Sequence, residues 1–389
     1  MTYNFDEIIE RRHTDSLKWD ALKQLFGHED VQPLWVADMD FRTPPFILDA
    51  IRHIIDQGVL GYTLTSDEWS EAVVRWQKRR YGVDINKEEL TFIPGIVRGM
   101  AFAVQALTNE GDKVMVQPPV YHPFFLTTRA NHRQVVFSPL TLGKDNYMMD
   151  FNRFREDIKG CKMFLLCNPH NPGGRVWTSE ELATVAQICQ EEGAVVVSDQ
   201  IHADLTLPGY HTTDYNAASP IAANHSVVLG SPSKAFNMPG LSSSFAVVKN
   251  PDLRQRFFHY LESSELNMGN MFACRAAAAA YNHGEQWLGQ MLDYLNGNMD
   301  FLQEYLRTEL PMLSMIRPQA SYLVYLDCRK LHLTQKELVS FFLNEAHLAL
   351  SDGMQFGDEG RGFMRMNVGC PRSVLQKCFQ QLRKAIMAR

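Results

Sequence analysis

The sequence predicts an α/β protein, with a large domain built on a mostly parallel sheet and a smaller α+β domain behind it. Three observations carry that reading. The apolar runs DKVMVQPP, CKMFLLCNP, AVVVSDQ and HSVVLGSPS are short, rich in Val, Leu and Phe, and each closes in Pro, Ser or Asp, as buried parallel strands do. Helix-like stretches alternate with them. From about Glu285 onward the texture changes to long amphipathic helices, a strand pair around ASYLVYLDCR and a final helix after Pro371.

Taken in order, residues 1–45 form an N-terminal segment expected to pack with the smaller domain. Residues 46–285 form the large domain and residues 286–389 the small one. FIPGIVRGMAFAV places Gly95 at a turn into a helix. SEELATVAQICQEE carries apolar residues at helical spacing, with Ser179 as its expected N-cap and acids behind it. The alanine run Ala276 to Ala280 reads as a close-packed helix.

Composition narrows the function classes. At 45% hydrophobic and 21% charged, the 389 residues resemble an ordinary globular enzyme rather than a disordered or fibrous chain. The net charge of -6 is spread along the chain without a basic block, so no nucleic-acid footprint is expected. The amino terminus mixes acids and bases and reads as neither a signal nor a transit peptide, and no window is apolar enough for a membrane span. A cytoplasmic location is therefore the expectation. Seven cysteines without a C-x-x-C pair read as buried, reduced thiols. His170, His202 and His211 fit no usual zinc spacing, so no metal is expected.

In open α/β sheets ligands sit beyond the carboxyl ends of the strands. The residues just after the four runs are Tyr121; Asn168 and Asn171; Asp199 and His202; and Ser231, Ser233 and Lys234. Singly they are ordinary: Asn-Pro makes turns, Asp caps helices, and a lysine can be an ion-pair partner. Together they offer an aromatic face, a carboxylate for a protonated ring nitrogen, an amide for a phenolic oxygen and an amine for an aldehyde. The amides of Ile96 and Val97 at the positive helix end, with the two serine hydroxyls, suit a phosphate.

The series PGIVRGM, PPVYHPF, CNPHNPGGRVW, VVVSDQIHADL and GSPSKAFNMPG resembles the class I/II aminotransferase-like family of fold type I pyridoxal-phosphate enzymes. WVADMDF, SDQIH, SKAFNMPGL and GFMRMNVGCPRS further resemble its cystathionine β-lyase branch of the MalY/PatB type, over essentially the whole chain. The resemblance implies a seven-stranded, mostly parallel sheet sandwiched by helices. It implies pyridoxal 5'-phosphate as cofactor, with Lys234 joined to its aldehyde, Asp199 on its ring nitrogen, Asn171 on its 3-oxygen and Tyr121 stacked on the ring. His202 takes a place where many relatives have tyrosine. Ile96, Val97, Ser231 and Ser233 fall on phosphate-binding positions.

Arg365 matches the grip on the substrate carboxylate, with Arg372 as the next candidate. Asn171 and Asp38 are also implied on the substrate side. Tyr62 matches a phosphate contact made across subunits, which implies a homodimer with a shared active site. Two departures from the common pattern stand out: Gln200 replaces the usual glutamate, and Ser242 stands where many aminotransferases have a phosphate-binding arginine.

The implied activity is carbon-sulfur β-elimination on cystathionine or another S-substituted cysteine. Amino-acid transamination, which shares the same residues, is the alternative. A pyridoxal-phosphate-binding regulator is a third reading; it would call for a DNA-binding arm ahead of WVADMDF.

Overall fold

The computed structural model describes residues 2–389. Seven strands form the large sheet: β1 Leu90–Ile93, β2 Lys113–Val116, β3 Gln134–Phe137, β4 Cys161–Cys167, β5 Val195–Asp199, β6 Ser226–Gly230 and β7 Ser244–Val247. Their order is β1-β7-β6-β5-β4-β2-β3. Only β7 runs antiparallel to its neighbours. The other contacts are parallel, in keeping with the mostly parallel sheet expected.

The sheet is buried on both faces, and the strands show why. Val114, Val116, Met163, Leu165, Val195, Val197, Val227 and Leu229 pack with helix α1, Ile96–Leu107, and with Phe257 and Leu261. The intervening Met115, Phe164, Leu166, Val196 and Val228 pack on the other face with Leu182, Val185 and Cys189 of helix α2, Ser179–Glu191. A period of two with apolar residues at every position demands cover on both sides, which the helices provide. Each such side chain contributes about 1.5–3 kcal/mol on burial.

Helix α2 starts one residue earlier than the sequence suggested. Thr178, not Ser179, is the N-cap: its hydroxyl accepts from the Glu181 amide at 3.2 Å while the Glu181 carboxylate accepts from the Thr178 amide at 2.8 Å. This reciprocal capping box needs an acid three residues on. Thr178 has Glu181 there, whereas Ser179 would have Leu182.

Helix α3, Met271–His283, buries the whole alanine run. Helix α4, Glu285–Glu309, follows it. Strands β8 Ser314–Ile316, β9 Leu323–Asp327, β10 Ser351–Asp352 and β11 Phe363–Asn367 make an antiparallel sheet in the order β8-β9-β11-β10. Helix α5, Arg372–Met387, closes the chain. The amino-terminal segment pairs Gln32–Pro33 in parallel with Leu348–Ala349. Phe5, Leu34, Met39 and Phe41 join the core that contains Trp287, Leu323 and Met366.

All seven cysteines are buried and unbridged. Among the described residues no helix is long and apolar enough to cross a membrane.

Candidate active site

The carboxyl ends of β2, β4, β5 and β6 open onto one cavity of about 330 Å3. Eight of the residues singled out from the sequence line it: Ile96, Val97, Tyr121, Asn171, Asp199, His202, Ser233 and Lys234. Asp199 is the last residue of β5 and continues the face of Val195 and Val197, which brings it to the α1 side of the sheet. Gly95 caps α1 with φ 124° and ψ 150°, a conformation open essentially to glycine alone. The first backbone bond of that helix is from the Gly99 amide to the Gly95 carbonyl, so the amides of Ile96 and Val97 have no helical partner.

Lys234 is half-buried, and its amine donates to the Ala37 carbonyl. Burial pulls the amine from its ordinary 10.5 down to about 8. The nearby Asp38 and Asp199 carboxylates oppose this, and Arg365 adds to it. Asp199 accepts a hydrogen bond from the Ile201 amide at 3.0 Å. Burial nonetheless pushes its carboxyl up to about 7, against the pull of that amide and of Lys234. His202 is driven the other way, to about 3, by burial and then by Lys234 and Arg365, so its imidazole is neutral. A poised amine and a poised carboxyl in one cleft mark a functional site.

Arg365 rises from the middle of β11 and is buried. Its Nη1 donates to Asn171 Oδ1 at 3.2 Å, and its Nη2 donates to the Trp35 carbonyl at 3.0 Å and to Ser351 Oγ at 3.2 Å. The guanidinium lies 4.8 Å from the Phe356 ring centroid. Burial lowers it to about 10, so it stays charged at neutral pH. Among the buried nitrogens that lack a hydrogen-bond partner are Nε of Arg365 and Nδ1 of His202. Unpaired buried polar groups are costly; His202 lines the cavity, while Arg365 does not line it and touches it through Asn171.

Other expected residues sit differently. Ser231 does not line the cavity; its hydroxyl donates to the Ser243 carbonyl at 2.6 Å and accepts from the Ser233 amide at 3.1 Å. The Ser233 hydroxyl also donates to that carbonyl, at 3.0 Å. Both hydroxyls thus bond the Ser243 carbonyl and shape the turn before Lys234. The Asp38 carboxylate pairs with Arg11 at 2.6 Å, beside an Asp40 held by Arg11 and Lys18 at 2.7 Å each. It neighbours the cavity without lining it. Tyr62 is fully exposed, away from this chain's own cavity. Asn168 turns to Gln200 and the Thr213 carbonyl. Arg372 is held by Asn298 Oδ1 at 3.0 Å and stacks on Tyr294.

The glutamine at position 200 has a local explanation. Its Nε2 donates to Asp214 Oδ2 at 2.6 Å, while its Oε1 accepts from the Tyr215 amide at 2.8 Å and from Asn168 Nδ2 at 3.1 Å. A carboxylate here could accept these bonds but could not donate to Asp214; the amide does both.

Sequence reasoning missed the backbone of WVADM and Tyr322. Tyr322 donates its hydroxyl to the Ala37 carbonyl at 2.9 Å, the same atom that holds Lys234. It also missed Arg98, the third residue of α1, which lines the cavity. No residue-type signal marks a carbonyl acceptor, but Arg98 was legible as a cation directly after the Gly95 turn.

A half-buried lysine and a buried aspartate face one cavity at the carboxyl edge of a mostly parallel sheet, with a buried arginine behind its wall, an arrangement of an α/β enzyme site. The chain belongs to the aminotransferase class I and II family, whose model matches residues 29–382. It is 40% identical to cystathionine beta-lyase PatB of Bacillus subtilis (strain 168), over 98% of this chain and 100% of that protein. Among solved structures it resembles cystalysin from Treponema denticola, which contains a pyridoxal 5'-phosphate cofactor. The TM-score is 0.96 and the identity 31%, covering 100% of both chains. A pyridoxal-phosphate-bound protein from Clostridium difficile 630, provisionally described as an aminotransferase, aligns with TM-score 0.97 and 35% identity over 99% of this chain and 100% of that one.

Proposed function

We propose that the chain is a pyridoxal-phosphate-dependent carbon-sulfur β-lyase acting on cystathionine or another S-substituted cysteine. One observation carries the reading beyond the family: the Lys234 amine and the buried Asp199 carboxyl face one cavity, and Arg365, whose Nε has no partner, lies behind its wall, bonded to the lining Asn171. These groups fit the cofactor and its substrate. Lys234 would hold the aldehyde, Asp199 the ring nitrogen and Asn171 the 3-oxygen. Tyr121 would stack on the ring, the imidazole of His202 would lie against it, and the amides of Ile96 and Val97 would take the phosphate. When bound, the cofactor supplies an electrophilic aldehyde and a ring that accepts the electrons of the substrate's Cα–H bond.

The chain's own residues do the rest. Arg365 fixes the substrate α-carboxylate, with Nε as a donor not already used. Lys234, lowered to about 8, has a substantial neutral fraction near neutral pH, so its amine can take the Cα proton. Asp199 as carboxylate keeps a proton on the ring nitrogen. In the net reaction an S-substituted cysteine and water give thiol, pyruvate and ammonia. Transamination calls on the same residues, and the lyase reading is preferred on the full-length likeness to a cystathionine beta-lyase.

The test is incubation of purified protein with cystathionine and no keto acid. Thiol, pyruvate and ammonia in near-equal amounts support the lyase. Turnover that requires a keto-acid acceptor and releases no thiol would establish transamination instead.

We further infer that the enzyme is a homodimer in which Tyr62 of each copy reaches the other's phosphate. Val59, Leu60, Tyr62 and Leu64 are all exposed in one non-helical stretch, an apolar surface that calls for cover. Light scattering should give a dimer, and Tyr62→Phe should retain cofactor less well; an active, cofactor-saturated monomer would refute this.

A further inference from the structure

Resting on the pyridoxal-phosphate reading, we propose that Arg98 is the cation that neutralises the cofactor's phosphate in this chain. Position 242 holds a serine in a left-handed conformation with φ 51°. Ser242 and Arg98 both line the cavity, together with Gly95, Ile96 and Val97 at the start of α1. Among the described residues lining that cavity the only lysine or arginine side chains are Lys234 and Arg98. Lys234 belongs to the aldehyde, which leaves Arg98 for the phosphate.

The setting of Arg98 is that of a cation without its anion. Its guanidinium donates to the Pro94 carbonyl at 2.6 Å. No carboxylate of the described residues pairs with it, and the first turn of α1 contains no acid. A positive side chain in the first turn of a helix opposes the helix dipole unless an anion sits there. The unpartnered amides of Ile96 and Val97 point to the same requirement. Two amides and the dipole together do not balance a phosphate dianion, and a guanidinium fork is matched to phosphate oxygens. Because the side chain is exposed and holds only one carbonyl, it can reorient without breaking a packed contact.

The experiment compares wild type, Arg98→Gln and Arg98→Lys in equilibrium titrations with pyridoxal phosphate and with pyridoxal, which lacks the phosphate. Both are followed by absorbance and repeated across a salt series. The 31P resonance of the bound cofactor is recorded against pH. Arg98→Gln should weaken pyridoxal phosphate about tenfold or more, flatten its salt dependence and raise the phosphate's second pKa, leaving pyridoxal unchanged. Arg98→Lys should restore most of the affinity. An Arg98→Gln protein that binds both ligands as wild type does, or that loses both equally, would overturn the proposal. A wild type that binds neither ligand would overturn the underlying cofactor reading and this inference with it.

Discussion

Asp199→Asn should make the cofactor-free protein more stable while removing its ability to use the cofactor. In the folded chain burial moves the Asp199 carboxyl from 3.8 to about 7, so between those values the native state holds more protons than the unfolded one. Stability therefore falls as pH rises through that window. Lys234 is moved from 10.5 to about 8, so the native state holds fewer protons between 8 and 10.5, and stability recovers as pH rises there. The destabilisation contributed by these two groups is thus greatest between about pH 7 and 8, where both are charged.

At about 1.4 kcal/mol per pH unit, the Asp199 displacement corresponds to an upper bound of about 4 kcal/mol above pH 7. Asparagine keeps an oxygen for the Ile201 amide and carries no charge. Urea midpoints of the cofactor-free proteins should favour the variant at pH 7.5 and converge toward pH 4. At the same time pyridoxal phosphate should bind the variant more weakly, because its ring nitrogen loses a carboxylate. An equal gain at both pH values, or none at pH 7.5, would show that the Asp199 charge is not what destabilises the empty site.

Arg365→Ala should raise KM for the amino acid by the equivalent of about 2 to 5 kcal/mol and leave the cofactor's absorption band intact. Unchanged kinetics would remove Arg365 from the substrate site, and Arg372, committed to Asn298 and Tyr294, could not replace it. Gln200→Glu should lower stability at pH 7.5 by about 1–3 kcal/mol, since it sets a second carboxylate against the buried Asp214 at a 2.6 Å contact. Because one of the two must then carry a raised pKa, the loss should shrink at pH 5; urea midpoints at the two pH values would decide it.

How much of this was legible depended on whether a residue acts through its type or through its backbone. The four apolar runs became β2, β4, β5 and β6, and the residues after them became most of the cavity lining. Strands β1, β3 and β7 went unread, although β2, which was read, has the same length of four residues. Ser231 and Ser233 were correctly placed near the lysine, but their hydroxyl protons are used by a carbonyl twelve and ten residues on, a partner no local pattern announces. Arg98 was visible as a charge and passed over, since its meaning depends on Ser242 lying on the same cavity.

The least legible feature governs the two most reactive cations. Trp35 offers its carbonyl to Arg365 and Ser351, Val36 to Asn367, Ala37 to Lys234 and Tyr322, Asp38 to Asn367 and Lys18, and Met39 to Asn237. Five consecutive peptide oxygens are therefore held by side chains from the sheet turn, the small sheet and the amino-terminal segment. Were Lys234 to engage an aldehyde, the stretch would lose that one donor and keep Arg365, Tyr322, Ser351, Asn367, Lys18 and Asn237. The remaining bonds would keep the stretch in place. A pattern of this kind requires any residues at all from 35 to 39 in the right conformation, which is why their identities gave only Asp38, the one side chain that the ion-pair cluster claims for itself.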